Sequence, residues 1–506
     1  MRIETFLRQS AAADPGKAAI VAGATRLTYA ELDETSDHLA AVLHERGVRD
    51  GERAVILMEN IWEAAVAIFA VVKAGAVFCP VNPTTKAEAL RFILGNCEPK
   101  AVLTQGKYAG LLAEATPASS SALLVICAQG APTPDGLAFE DCIRHQTRLP
   151  PAGGADADLA MIIHTSGSTG EPKGVMMSHA SMDAASSAIA AYLQNTDDDV
   201  VLNALPLSFT YGLYQLLVGV RVGATMVLEK SFAFAYAVLE RARAEGVTGL
   251  PLVPTMAAMI LAMRDAVELP TLRYITNAAA PLPPAHVKEL RSRFPDAQLY
   301  SMYGLTECAR ATYLPPKELD RRPESVGKAI PGTEAFVVDE AGRPAAPGAV
   351  GELIVVGPHV MQGYWRNGAA TAAAIAPGRR PGERRLRTGD LFRADADGFL
   401  HFVGRNDDIL KIRGEKVAPL QVESVLHACP GVTEAMVIGL PDPVLGTMLH
   451  AMVVAADPAL TERAVLRHCR ELLPDVMVPR SVEFRAELPK TMSGKVIRRQ
   501  TTATGE

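Results

Sequence analysis

Thr165-Ser166-Gly167-Ser168-Thr169-Gly170-Glu171-Pro172-Lys173-Gly174 is the stretch on which the reading of this chain turns. Seven of its ten residues are Gly, Ser or Thr around a single cation, and an apolar segment, Leu159 to Ile163, leads into it. A loop of this composition after a strand offers backbone N–H groups, hydroxyls and one long positive side chain to a polyanion such as the phosphates of a nucleotide. The common P-loop has Ser or Thr directly after its Gly-Lys, whereas here Pro172 precedes the lysine and Gly174 follows it. A plain surface turn competes for any one such cluster. Three further motifs downstream favour the phosphate reading.

Around this loop the first 300 or so residues alternate short apolar runs with Ala- and Leu-rich helical stretches. Ala54 to Met58 is followed by Trp62 to Lys73; Val200 to Leu205 by Leu213 to Val220; Tyr274 to Thr276 by Pro284 to Phe294. Alternation at this spacing predicts α/β layering, with parallel strands covered by helices on both faces. From Pro331 the texture changes. Thr333 to Asp339, a Gly342/Pro344/Pro347/Gly348 turn region and Glu352 to Val356 read as paired strands of a smaller β subdomain. An Arg-rich segment with Arg379, Arg380, Arg384, Arg385 and Arg387 then reads as a solvated loop, with contact to a phosphate or an acidic partner as the alternative. After Gly404-Arg405-Asn406-Asp407-Asp408 the pattern restarts. Helices are expected at Leu420 to His427 and Thr461 to Leu472, with strands at Ala435 to Ile438, Leu449 to Val454 and Ser481 to Phe484. That is a unit of about 100 residues, enough to fold by itself.

Composition narrows the class. A chain of 506 residues is too long for one compact core. A formal net charge of −6 argues against a general nucleic-acid binder, which needs a basic face to release counterions. No segment approaches the roughly 20 apolar residues of a membrane helix. The opening Met1-Arg2-Ile3-Glu4-Thr5-Phe6 lacks the apolar core of an export signal, so a cytoplasmic location is expected. The seven cysteines are odd in number, scattered and without a Cys-x-x-Cys pair, which suits a reducing compartment and disfavours a disulfide framework or zinc site.

Three motifs join the loop. In Tyr303-Gly304-Leu305-Thr306-Glu307, a glycine beside an aromatic at a strand end permits close approach to a flat ring. Glu307 is a hard oxygen donor suited to Mg²⁺ carried on phosphates. In Arg387-Thr388-Gly389-Asp390, an acid at a turn can accept hydrogen bonds from two adjacent ribose hydroxyls, and Arg405 can reach the same ribose or a phosphate. Lys495, in Ser493-Gly494-Lys495-Val496, stands on a turn far beyond the domain boundary. A charge there makes sense if the small domain swings over and delivers it; Lys490 lacks the flanking glycine.

Taken in this order, from Leu27-Thr28-Tyr29-Ala30-Glu31-Leu32 to Lys495, the chain resembles the adenylate-forming superfamily of AMP-forming acyl- and aryl-CoA synthetases, stand-alone adenylation enzymes and luciferases. The resemblance implies an α/β fold. A large layered N-terminal domain, residues 1–404, holds two α/β lobes plus a β subdomain, and a small mobile α+β lid spans 405–506. It implies two steps: a carboxylate and ATP give an acyl-adenylate and pyrophosphate, and a thiol then displaces AMP. By motif, Thr165, Ser166, Gly167, Ser168, Thr169, Gly170 and Lys173 would hold the β- and γ-phosphates. Thr306 would touch the α-phosphate and Glu307 the Mg²⁺. Tyr303 would stack on adenine, with Ala278, Ala279 and Ala280 on its other face, and Asp390 and Arg405 would bind the ribose. Lys495 would bridge the attacking carboxylate and the α-phosphate, and Asp407 would be the hinge.

The acid pocket departs from that pattern. Pro206-Leu207-Ser208-Phe209-Thr210-Tyr211-Gly212 puts Phe209 where many acyl-CoA synthetases carry His. Amino-acid-activating relatives have a Phe-Asp pair near this point, and here Thr210 replaces the Asp. An ammonium would lack a carboxylate partner in a desolvated pocket, so α-amino acids are disfavoured. Beside Tyr211, with Asn277, Ala278 to Ala280, Cys308 and Ala309 as small or neutral walls, the pocket suits an apolar acyl or aryl acid. Arg310 fits either a second carboxylate on the substrate or a structural salt bridge. The thiol is CoA by default. A phosphopantetheinyl carrier protein would use the same tunnel, and would be expected to act in trans because no carrier domain follows Lys495 here. Nothing marks luciferase-like oxygen chemistry, and every catalytic position is filled, which argues against an inert scaffold.

Overall fold

The computed structural model describes residues 1–116, 123–133, 136–145, 147–149, 153–166, 172–263, 265, 267–380, 383–412, 415–442 and 446–488. The first apolar runs form the parallel strands Arg53–Leu57, Val77–Pro80, Ala101–Gln105 and Leu124–Ala128. They are buried on both faces for most of their length, and so read as continuous rather than alternating hydrophobic runs. Leu159–Ser166 joins this sheet parallel to Val77–Pro80, with Phe78 opposite Met161, and turns back antiparallel into Pro172–Ser178. The Gly-rich segment therefore connects the two arms of a hairpin whose register sets Thr165 opposite Lys173 and Ser166 opposite Pro172.

A second sheet has a parallel half, Ala18–Ala22, Thr225–Leu228, Val200–Asn203, Gly249–Leu252, Tyr274–Asn277 and Gln298–Tyr303. It then continues antiparallel through Thr312–Leu314, Ser325–Ala329, Leu400–Arg405, Arg384–Ala394, Val350–Val356 and Glu334–Val338. The strands expected of the β subdomain are thus an extension of the parallel sheet. Ser325–Ala329 joins the subdomain strands to Thr312–Leu314 at Gly327, where the register shifts, φ is +84° and a Cβ would lie 1.7 Å from the Tyr313 carbonyl oxygen. The Arg-rich segment also differs from the expected loop. Arg384, Arg385 and Arg387 lie in an 11-residue strand, with Arg387 paired to Glu352 at 2.5 Å and Arg385 over the Phe336 ring.

Between the sheets runs the helix Trp62–Lys73, buried from Glu63 to Lys73 and touching strands of both. Its last residue, Lys73, sends Nζ to Asp33 at 2.6 Å and Asp37 at 2.8 Å, so the enclosed ammonium is fully compensated. A smaller unit follows, in which helices Pro419–His427 and Glu462–Leu472 pack on the strands Val432–Asp442, Gly446–Ala455 and Ser481–Phe484. It has its own core of Val422, Leu426, Val437, Ala451, Val453, Val465 and Cys469. Among the described residues no helix is long and apolar enough to cross a membrane.

Gly327→Ala is expected to destabilise the protein by about 2 kcal/mol or more, because it adds a clash to a positive φ. The check is the thermal midpoint; an unchanged value would mean that the chain does not approach Tyr313 so closely.

Candidate active site

Gln298–Tyr303 delivers the Tyr303-Gly304-Leu305-Thr306-Glu307 turn to the edge of the first sheet. The turn doubles back tightly: a Cβ on Gly304 would lie 2.5 Å from the Ala309 carbonyl oxygen, Ala309 has φ +58°, and Ala311 N–H donates to Tyr303 O at 2.9 Å. Thr306 and Glu307 are left half-buried at its tip. A strap at 361–365 then crosses to the hairpin. Met361 N–H donates to Glu307 O at 2.8 Å, Tyr364 pairs with Val175, and Trp365 N–H donates to Gly174 O at 2.7 Å. The Tyr364 hydroxyl donates to Glu307 Oε1 at 2.7 Å, and Lys173 Nζ stands 5.5 Å from the centre of the same ring. Burial, then the Glu307 carboxylate, push the Tyr364 phenol upward, so it stays protonated and keeps donating. Lys173 and Glu307 are thereby brought to one tyrosine from two different sheets.

Beside them, Asp390 faces Arg405 across paired strands, with Arg405 Nε 3.2 Å from Asp390 Oδ1. Tyr303 O–H donates to Asp390 Oδ2 at 2.6 Å, and its ring packs against Phe392 and Phe402 at centroid distances of 4.9 and 6.1 Å. Burial and the neighbouring Asp390 hold the Tyr303 phenol well above its usual range. Burial opposes the charge on Arg405, but Asp390, Asp408 and Glu307 outweigh it and keep the guanidinium more firmly protonated than usual. Tyr303, Asp390, Arg405, Glu307, Tyr364 and Lys173 form one charged, hydrogen-bonded wall.

The residues expected to line the acid pocket lie on three segments, at 209–211, 277 and 308. Phe209 caps the helix Thr210–Val222, and Gly212 must be glycine, since a Cβ there would lie 2.4 Å from the Pro206 carbonyl oxygen. Tyr211 O–H lies 2.8 Å from Thr276 Oγ1 and donates to Thr276 O at 3.0 Å. The next residue, Asn277, is buried; its Nδ2 donates to Ala280 O at 3.1 Å, and its Oδ1 has no described partner. Cys308 is fully buried, and burial pushes its thiol up to about 12. Of the three alanines, Ala278 is buried and Ala279 has φ +74°. Phe209 and Thr210 lie on the helix's entry, half-buried.

Gly167, Ser168, Thr169, Gly170 and Lys495 lie outside the described residues, and Ser166 and Asp407 are described for backbone only, Asp407 in a turn of 3₁₀ helix. Sequence reasoning passed over Tyr364 and the strap. Its one local signal is Gly363 before two aromatics; its role depends on strand pairing across about 190 residues, which no local pattern carries.

Residues 7–365 match the family described as AMP-binding enzyme, and residues 421–495 match the AMP-binding enzyme C-terminal domain. A long-chain-fatty-acid–CoA ligase of Salmonella typhimurium is 30% identical over 94% of this chain and 89% of the relative. The indoleacetate–CoA ligase of Aromatoleum aromaticum is 30% identical over 98% of this chain and 96% of its own. Among solved structures, an anthranilate CoA ligase in complex with anthranoyl-AMP superposes with a TM-score of 0.90 at 27% identity, covering 98% of this chain and 95% of the other. ATP-bound MatB of Rhodopseudomonas palustris does so at 0.88 and 30%, covering 98% and 97%. The chain belongs to the AMP-binding enzyme family and is an AMP-forming acid–thiol ligase of the adenylate-forming superfamily.

All seven cysteines are buried as free thiols. Because the thiolate is the reactive form, the native protein should show little or no reaction with Ellman's reagent at pH 8, and seven thiols after denaturation. Rapid labelling of Cys308 in the native protein would contradict its enclosure.

Proposed function

We propose that this enzyme activates an apolar acyl or aryl acid with ATP and transfers the acyl group to the thiol of CoA. The observation that carries the reading is the wall in which Lys173 and Glu307 meet at Tyr364 beside the Asp390–Arg405 pair. In the first step a carboxylate oxygen bonds to the α-phosphorus as the bond to pyrophosphate breaks. In the second, a thiolate attacks the acyl carbonyl and AMP leaves. Attack of an anion on a polyanion makes charge neutralisation and positioning the main catalytic tasks.

In this reading Thr165 to Gly170 and Lys173 hold the β- and γ-phosphates, and Thr306 meets the α-phosphate. Ala278 to Ala280 and Tyr303 bracket adenine, and Asp390 with Arg405 takes the ribose. The donor set fits Mg²⁺: Glu307 gives one oxygen to Tyr364, and no described side chain donates to the other. Among the described residues no cluster of three or more metal-binding side chains exists, which suits an ion whose other ligands are phosphate and water oxygens. Bound there, it would offset phosphate charge. Thr210 supplies no partner for an ammonium, which supports an acyl or aryl acid over an α-amino acid. The relatives named above are CoA ligases, which supports CoA over a carrier protein in trans. Buried reduced thiols suit the cytoplasm. We place the lid at 405–506, turning about Asp407 to bring Lys495 in for adenylation and away for thiolysis.

Pyrophosphate exchange across a panel of carboxylic acids, followed by thioester formation with CoA or a carrier protein, tests the reading. Lys495→Ala should cut exchange by about 10²-fold or more, ~3 kcal/mol of transition-state stabilisation, with ATP binding little changed. Near-wild-type exchange would displace Lys495 from its role.

Proline at a hinge fixes φ near roughly −65° and removes a donor. Asp407→Pro should therefore spare adenylate formation and sharply reduce thioester formation. Equal loss of both steps would indicate misfolding, and loss of neither would remove Asp407 from the hinge.

A further inference from the structure

Two Lys or Arg residues are buried among the described residues: Lys73, 2% exposed, and Arg310, 3% exposed. They are treated very differently. Lys73 is met by two carboxylates. Among the described residues no Asp or Glu comes within 4.0 Å of the Arg310 guanidinium, and its Nε is enclosed with no acceptor. The salt bridge that would give Arg310 a purely structural purpose is absent there.

Arg310 stands where the acid pocket gathers. Its guanidinium lies over the Tyr211 ring, 5.0 Å from the centroid. It also neighbours the Tyr192 hydroxyl, which burial pushes up to about 12 while Arg310 pulls it back. Tyr192 itself stacks on Tyr313 at 4.2 Å. Nearby along the same elements, Ser208 Oγ, Asn277 Oδ1 and Thr312 Oγ1 are also enclosed without partners. An arginine cannot shed its proton to escape burial. Burying a charge without a counterion is costly, and a fork of five N–H donors suits a carboxylate best. Such an arrangement persists where binding a ligand completes it. In the proposed reading the nucleotide has Lys173 and Arg405 as its cationic partners, which leaves the acid to bring an anion to Arg310.

We infer that Arg310 binds a second carboxylate of the acid substrate, so that the enzyme activates one carboxyl of an otherwise apolar dicarboxylic acid. This rests on the ligase reading and on the pocket of Tyr211, Asn277 and Cys308 within it. One carboxylate is directed to the α-phosphate and activated. The other stays ionised against Arg310 and sets the length of acid accepted. A monocarboxylate of equal length leaves the guanidinium unpaired and binds more weakly.

The test is pyrophosphate exchange with matched pairs: hexanoate and adipate, octanoate and suberate, benzoate and isophthalate. Wild type should prefer the dicarboxylate of at least one pair by about tenfold or more in kcat/KM. Arg310→Met should lower kcat/KM for that dicarboxylate by about 10²-fold, chiefly through KM, while leaving the monocarboxylate unchanged or improved. Arg310→Lys should restore part of the loss. ATP affinity by calorimetry should match wild type in both variants. A wild-type preference for the monocarboxylate in every pair would overturn the inference alone, as would equal loss of both members in a folded Arg310→Met. Should Arg310→Met fail to fold, the wild-type preference and Arg310→Lys decide. No exchange with any acid in wild type would instead overturn the ligase reading itself.

Discussion

The hydrogen bond from Tyr364 to Glu307 joins two sheets that share no strand. Glu307 follows the last parallel strand of the larger sheet, and Tyr364 is paired into the smaller one beside the hairpin that carries Lys173. With the backbone contacts of the strap, this link holds Lys173 and the acidic turn in one frame, where a drift of about an ångström would matter to any reaction between them. The strap is reinforced from its backbone by Met361 and Trp365. Asn60 ties the same seam on its far side, donating to Leu205 O at 2.7 Å and accepting from Leu207 N–H at 2.9 Å. The site lies on that seam because only there can strand ends from both sheets converge.

Charge is handled with economy around the seam. Asp390 receives the Tyr303 hydroxyl and faces Arg405; Glu307 receives the Tyr364 hydroxyl. Each carboxylate is positioned by a phenol whose own ionisation is suppressed by burial, so the donor cannot become a competing anion. Orientation is fixed before any nucleotide arrives, which is the condition for electrostatic stabilisation to cost little at the moment of reaction.

Much of this was legible in the sequence where the information is local. Trp62 to Lys73 has the bounds expected of it, because a long apolar run without β-branched crowding at its start can only be a buried helix. Ser481 to Phe484 and the antiparallel pairing of Glu334–Val338 with Val350–Val356 were readable from strand composition and turn residues. The continuity of the β subdomain with the parallel sheet was not. It depends on Gly327 passing against Tyr313, a contact invisible without the partner strand. The arginines at 384, 385 and 387 looked like loop residues because alternation of charge hides a strand whose polar face carries ion pairs such as Arg387–Glu352. The wall of the site was legible as separate motifs; the strap that assembles them was not.

Arg310 shows how far a sequence goes before geometry must decide. Read alone, an arginine three residues past Glu307 permits a salt bridge, the commoner use of such a residue, or a ligand contact. The fold withholds carboxylates from it while supplying two to Lys73, although both cations are enclosed. A protein that pays to bury a cation without a counterion gives up stability in the free state and recovers it on binding. It thereby turns a desolvation penalty into discrimination against acids that carry no second charge. The same logic in reverse applies to Thr210, where a missing acid denies an ammonium its partner. In the proposed reading, specificity follows from which charges lack partners, and those absences can be recognised only once the surrounding residues have been placed.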